Sequence, residues 1–216
     1  MKIIQGFIGL VVLLGTTFVH AYEQPKYKIV AEHSDYEIRE YEPYLVAETV
    51  VDSSFDGSGG PAFRRLASYI FGENSSPTDE SVRMQMTVPV ARQRISDERD
   101  DRYAYWFVME NKYDKESLPT PIDERVRIRE VPRRQVAALR YSGRINEANF
   151  LKHASRLTNL LDTGEYISLG EPQAAVYNGP FTLPFMRRNE VLVEIVPKEM
   201  LDADNLEKIG LDLTVK

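Results

Sequence analysis

The chain has 216 residues, a formal net charge of −6 at pH 7, three histidines and no cysteine. The lack of cysteine excludes disulfides, cysteine-ligated metals and cofactors attached through thioethers. The acidic balance argues against a nucleic-acid binder, which is more often basic.

Residues 1–21 have the pattern of a secretory signal peptide. Lys2 precedes an apolar run over 3–19, and Ala21 places a small residue at the expected cleavage point. The run is shorter than the about 20 residues that a spanning helix needs, although an uncleaved membrane anchor is the alternative. The segment carries one lysine and no acid, so its removal leaves a net charge of −7. We expect one exported domain over 22–216, periplasmic or extracellular, without stable membrane insertion.

After a polar leader, the first half of this domain has a strand, turn, helix, strand, strand pattern. Residues 36–51 alternate around Glu42-Pro43, which predicts a half-buried β-hairpin. Apolar residues at helical spacing predict a helix over 61–72 that begins at a proline and stops at a glycine. Residues 84–90 and 103–109 are predicted as strands, and because the first contains a proline we expect it at a sheet edge or with a bulge.

The second half repeats this order. The tripeptide Ile38-Arg39-Glu40 recurs as Ile128-Arg129-Glu130, again followed by a proline and an apolar strand. Two copies of one α+β unit, about 27–110 and 120–200, predict an α+β fold. We expect a distorted β-barrel of two pseudo-repeated halves, each hairpin-helix-strand-strand, with two main helices packed on the sheet.

The loop over 177–189 is unusually apolar for a connection. It combines large apolar side chains with a basic end, namely Phe181, Leu183, Phe185, Met186, Arg187 and Arg188. Such a loop is expected either to pack onto the barrel or to cover a ligand.

The sequence contains no recognised catalytic constellation. It has no GxSxG, HExxH, Walker or GxGxxG motif, and the two histidines of the mature chain cannot build a multi-histidine metal site. Glu40 and Glu130, at equivalent positions of the two repeats, are the only candidates for a placed acid or base. The pattern therefore favours binding over catalysis.

Six short motifs in order resemble the SOUL haem-binding protein family. They are YEIREY from Tyr36, YIFGEN at 69–74, MQMTVPV at 84–90, PTPI at 119–122, YNGP at 177–180 and RRNEV at 187–191. The match covers nearly the whole mature chain. The resemblance implies a distorted barrel of two halves, and reversible, non-covalent binding of haem or a related tetrapyrrole.

In this family haem lies against the first helix and a nearby loop, with basic residues near its propionates. A flat apolar ligand with two carboxylates needs such an apolar slot and a cationic rim. The corresponding positions here are Phe63, Arg64, Arg65, Leu66, Ile70, Met84, Met86, Phe181, Phe185, Met186, Arg187 and Arg188. The alternative for Phe63, Leu66 and Ile70 is that they are simply core.

The resemblance also bears on iron ligation. One family member is thought to use a histidine directly after Ile-Arg in the first strand, where this chain has Glu40. His20 leaves with the signal segment, His33 lies in the polar leader, and His153 lies at the margin of the inner apolar face of the second helix, which is predicted over 146–164. We therefore expect haem binding without a strong histidine ligand.

The first interpretation of the function is an exported carrier or buffer of haem. An enzyme that removes iron from tetrapyrroles or hydrolyses a small apolar ligand, and a non-haem effector-binding module, are the alternatives.

Overall fold

The computed structural model describes residues 22–95 and 102–200, so the predicted signal segment lies outside the described residues. A strongly curled nine-stranded antiparallel sheet forms a half-barrel and carries two helices, which confirms the predicted α+β fold with a distorted barrel. The elements are β1 Tyr27–Glu32, β2 Glu37–Tyr41, β3 Tyr44–Asp52, α1 Phe55–Ile70, β4 Asn74–Ser75, β5 Val90–Arg94, β6 Arg102–Val108, β7 Thr120–Pro121, β8 Val126–Val131, β9 Arg134–Tyr141, α2 Glu147–Asp162, β10 Tyr166–Val176 and β11 Asn189–Pro197. Strands β4 and β7 form a separate pair.

The strands on either side of Glu42-Pro43 form where the alternation predicts them, but they do not pair with each other. The sheet order is β1-β2-β9-β11-β10-β5-β6-β3-β8, so β2 pairs with β9 and β3 pairs with β8. Both predicted hairpins are therefore wrong. A two-residue hairpin turn needs a residue with positive φ, usually Gly or Asn, and neither Glu42-Pro43 nor Pro132-Arg133 supplies one.

Each half of the chain thus has a strand that pairs with a strand of the other half. Strand β3 lies between β6 of its own half and β8 of the other, and β9 lies between β11 of its own half and β2 of the other. The superposition of the two halves, with Ile38 over Ile128, stays a prediction.

Helix α1 begins earlier than the sequence predicts. Ser54 caps it, its Oγ accepting a hydrogen bond from the Gly57 N–H at 3.4 Å, so residues 55–60 are helical rather than loop. Pro61 then lies inside the helix instead of in its first turn. The helix ends at Ile70, and Gly72 follows with φ of 128°, a conformation that favours glycine. The stop was therefore predicted better than the start.

Two other segments differ from expectation. The strand predicted over 84–90 begins only at Val90, while Thr87 turns its hydroxyl to the Val108 carbonyl at 2.6 Å. The polar leader contains β1, which pairs with β2 at the sheet edge. Its sequence YKIVAE lacks clear alternation, and its apolar side chains Ile29 and Val30 are exposed.

Both faces of the sheet are covered over much of their area. The helix-facing side holds the largest apolar cluster, which includes Ile38, Phe107, Leu139, Val191, Leu66 and Leu157. The opposite side, inside the curl, holds two smaller clusters around Tyr41 and Trp106. Among the described residues, no helix has the length and apolarity to cross a membrane.

Candidate ligand-binding site

Fewer residues of α1 are accessible to a ligand than the sequence predicts. Leu66 and Ile70 are buried in the core against the sheet. Phe63 is 45% exposed and packs edge-on against Phe107, with the ring centroids 5.4 Å apart. Arg64 is exposed beside it. The helix therefore presents Phe63 and Arg64 to a ligand.

Three other predicted positions face inward or are already bonded. The Nη1 group of Arg65 donates to Thr49 Oγ1 at 2.6 Å and to the Val50 carbonyl at 3.1 Å. Met84 is buried in the core, and Met86 is half-buried against it. These two methionines fill core volume, as alternating methionines usually do.

The loop between β10 and β11 is internally bonded and yet apolar outside. Phe181 is 98% exposed, and Leu183, Phe185 and Met186 are exposed as well. Arg187 donates from Nε to the Thr182 carbonyl at 2.8 Å and from Nη2 to the Pro180 carbonyl at 2.6 Å. These bonds close the loop on itself, so its large apolar side chains project outward instead of packing on the barrel.

The two arginines at the end of this loop have different roles. Arg188 donates to Glu190 from Nε at 2.9 Å and lies over the Tyr177 ring, 3.8 Å from its centroid. The Glu190 carboxylate therefore already neutralises it. Arg187 keeps its Nη1 group without a partner in the part of the chain that the structure describes. Arg187 is thus the better placed of the two to meet a ligand carboxylate.

The start of α2 links the loop to α1. The Gly143 N–H donates to the Pro184 carbonyl at 2.9 Å, and the Glu147 N–H donates to Asp56 Oδ1 at 3.1 Å. The loop and the first turn of α1 therefore flank the same segment, 143–147. Within 22–95 and 102–200, no hydrogen bond or ring contact joins the loop to α1 directly.

Each of the two histidines of the described chain stacks on a tyrosine. His33 stacks on Tyr36 in the turn between β1 and β2, at 4.3 Å between ring centroids. His153 stacks on Tyr141 at the same distance, and its Nδ1 is buried without a partner. Burial lowers the pKa of His153, helped by the charges of Lys152 and Arg156, so its ring favours the neutral form.

The two glutamates considered as acids or bases are ion-paired. Glu40 lies between Lys28 and Arg133, each 2.9 Å away, and hydrogen bonds from these cations lower its pKa. Glu130 pairs with Lys115 at 2.5 Å. In the described ranges, no group of three or more His, Asp or Glu side chains is arranged to hold a metal ion.

The sequence did not reveal two buried charged positions. Glu190 is fully buried with Arg39, and Arg92 is buried beside Phe55 and Tyr105. Both lie in alternating strands, where a polar residue usually marks the solvent face. Glu190 shares the face inside the curl with Leu192, and that face is covered too, whereas Arg92 lies on the helix-facing side beside Phe55 and Tyr105.

A family model described as SOUL heme-binding protein matches residues 22–194. Heme-binding protein 1 from Mus musculus is 30% identical over 145 residues, which is 66% of this chain and 74% of the mouse protein.

Solved structures resemble the fold at low sequence identity. The C-terminal domain of EcmrR superposes with a TM-score of 0.55 at 10% identity and covers 79% of this chain and 98% of its own. A hydrolase from Listeria innocua has a TM-score of 0.55 at 12% identity and covers 77% and 94%. At these identities the likeness concerns the fold alone.

Proposed function

Because the chain belongs to the SOUL haem-binding protein family, we propose that it binds haem or a related tetrapyrrole reversibly and without a covalent bond. The named relative supports this ligand class, since the mouse protein is a heme-binding protein. We further propose that the protein is exported and acts as a carrier or buffer. The absence of a recognised catalytic motif from the sequence supports binding over turnover.

The observation that carries the proposal is the exposed apolar surface of the loop. Phe181, Phe185 and Met186 all lie in water, although each would be stabilised by burial. A flat apolar ligand laid on them recovers about 25 cal/mol for each Å² of apolar surface that it covers. The hydrogen bonds of Arg187 hold the loop in this outward form, so little ordering is needed on binding.

Some of the predicted residues have the exposure and the chemistry to contact a tetrapyrrole. Phe63 and the loop side chains suit the macrocycle, while Arg64 and the open Nη1 of Arg187 suit the propionates. Arg65 and Arg188 are already bonded, and Leu66, Ile70 and Met84 are core, so we assign them to the support of this surface. Bound haem would supply an iron centre, for which Met186 is the exposed soft donor of the loop.

A hemin titration of the mature chain, followed at the Soret band, tests the proposal. The Phe181→Ser, Phe185→Ser double variant should bind hemin about tenfold more weakly or worse, which corresponds to about 1.4 kcal/mol. Ile122→Ser is the matched control, because Ile122 is also an exposed apolar residue but lies in the segment before β8. Equal losses in both variants would contradict the loop site. Mass analysis of haem after incubation should return it unaltered, whereas a modified product would indicate an enzyme.

A further inference from the structure

A cleft lies between α2 and the middle of the sheet, and no residue of the 177–189 loop lines it. Its volume is about 330 Å³, and Phe55, Phe150, Leu151 and Ala154 form its apolar part. The sheet side is formed by β5 and the bulged part of β10. A cavity of this size is at the small end of ligand pockets.

Arg92 lines this cleft and is only 7% exposed. Its guanidinium carbon lies 3.2 Å from the centroid of the Phe55 ring, and its Nη1 donates to the Phe55 carbonyl at 2.7 Å and to Tyr105 Oη at 2.6 Å. One acceptor is a backbone carbonyl and the other is a tyrosine hydroxyl. No carboxylate within the described ranges pairs with it.

Such an arginine is an exception in this molecule. The other two most buried arginines have acidic partners, Arg39 with Glu190 at 2.6 Å and Arg134 with Glu194 at 3.1 Å. A buried charge without a counterion is costly, because desolvation is not offset by attraction. The surroundings of Arg92 therefore lack an anion that the other two sites contain.

The Nε and Nη2 side of the Arg92 guanidinium is the side that binds carboxylates in proteins. Both printed hydrogen bonds use Nη1, on the side of α1, and leave Nε and Nη2 without a protein acceptor in the described chain. These two atoms are not among the fully buried polar atoms that lack a partner, so solvent reaches them. The Nε and Nη2 donors form the planar fork that binds a carboxylate through two parallel hydrogen bonds.

The neighbouring helix ends add to the attraction for an anion. Helix α1 begins at Phe55 and α2 begins at Glu147, and the rings of Phe55 and Phe150 stack at 5.2 Å across the junction. The positive N-terminal ends of both helices therefore lie beside this region. The acidic side chains that line the cleft, Glu147 and Glu171, are exposed, so water screens their charge.

We propose that this cleft binds a small organic carboxylate, whose apolar body packs on Leu151 and the accessible part of Phe150 and whose carboxylate accepts hydrogen bonds from Arg92. This site is separate from the tetrapyrrole surface on the loop. The apolar side chains of the cleft lie next to one pair of parallel N–H donors. Such a site favours a monocarboxylate whose apolar part is about the size of an aromatic ring over a compact inorganic anion.

The first test changes the ligand and leaves the protein intact. The mature chain is titrated by calorimetry with phenylacetate, with its neutral amide phenylacetamide, and with acetate. Phenylacetate should bind at least about tenfold more tightly than either of the others, since the amide lacks the charge and acetate lacks the apolar body. Equal affinity for the amide, or no saturable binding of phenylacetate, would overturn the proposal.

The second test locates the site. Ser155 is exposed on α2 and lines the cleft, so Ser155→Trp should fill it and abolish phenylacetate binding while hemin binding is unchanged. Lys152→Trp is the matched control, an exposed position on the same helix outside the cleft. Arg92→Lys keeps the charge, loses the fork and should weaken phenylacetate binding. Retained phenylacetate affinity in Ser155→Trp, or loss of hemin binding together with it, would contradict a separate site here.

Discussion

Arg39 and Glu190 form a bidentate ion pair in the interior, although 151 residues separate them in the chain. Arg39 Nη1 lies 2.6 Å and Nη2 lies 3.0 Å from the two carboxylate oxygens, and the side chains are 4% and 0% exposed. Tyr177 donates its hydroxyl to the same carboxylate at 2.7 Å. Because β2 and β11 flank β9 on either side, this pair connects two strands that are not neighbours in the sheet.

Replacement of Glu190 by Gln should destabilise the fold strongly. The amide keeps the shape but removes the anion that Arg39 and Arg188 share, which leaves Arg188 without an acidic partner and Arg39 with Glu37 alone. Loss of one partner of a buried pair costs about 3–5 kcal/mol of unfolding free energy, and because Glu37 offsets part of this cost we expect a loss near the lower end, measured by urea denaturation. Glu130→Gln is the control, because its pair with Lys115 is exposed and is worth about 0–1 kcal/mol. Similar losses in both variants would show that burial of the Arg39 pair adds no stability.

The same carboxylate makes stability depend on acid. Burial raises the pKa of Glu190, but the hydrogen bonds and charges of Arg39 and Arg188 outweigh this, so its pKa lies below the ordinary value. The unfolded chain therefore takes up the proton at a higher pH than the folded chain, and acid favours unfolding. We expect the unfolding free energy to fall as pH drops below the ordinary glutamate pKa of about 4.3. The fall should be shallower in Glu190→Gln, and equal slopes would mean that other carboxylates account for it.

Arg187→Met should loosen the apolar loop without unfolding the barrel. The substitution removes the bonds to the Thr182 and Pro180 carbonyls that close the loop, as well as the proposed propionate contact. Hydrogen exchange over 179–187 should accelerate, and hemin affinity should fall by about tenfold. Arg127→Met, at an exposed position on β8, should leave both measurements unchanged. A fast-exchanging loop with normal hemin affinity would argue that a preformed loop is not needed.

Haem should bind without a strong histidine ligand. His33 and His153 stack on Tyr36 and Tyr141, on elements outside the proposed surface. The His33→Ala, His153→Ala double variant should keep the Soret band on hemin addition, and iron-free protoporphyrin should bind nearly as well as haem. Loss of the band in a folded double variant would contradict this. The single variants would then identify the ligand.

The mature protein should begin near Tyr22 and be soluble outside the cytoplasm. The apolar run over 3–19 and the small residue Ala21 are the basis for this expectation. Amino-terminal sequencing of the exported product measures it directly. Recovery of Met1 in a membrane fraction would mean that the segment is an anchor.

Element positions followed from local patterns, whereas strand partners did not. The strand that alternation predicts over 103–109 is close to the observed β6, because alternation is a property of neighbouring residues. The proline turns after Tyr41 and Val131 suggested hairpins, but each strand pairs across the halves. Which strands pair depends on how the whole sheet curls, and a short stretch of sequence carries no information about that curl.

The sequence by itself determined the fold class, the family motifs and an apolar loop whose composition implies a ligand. Tertiary structure decided which charges enter the interior. Alternation shows which residues share a face of a strand, but what covers that face depends on distant segments. Arg188 therefore became a partner of Glu190, while Arg187 closed the loop. Arg92 is buried without an acidic partner for the same reason, because the residues around it come from α1, β6 and α2, which are distant in the sequence.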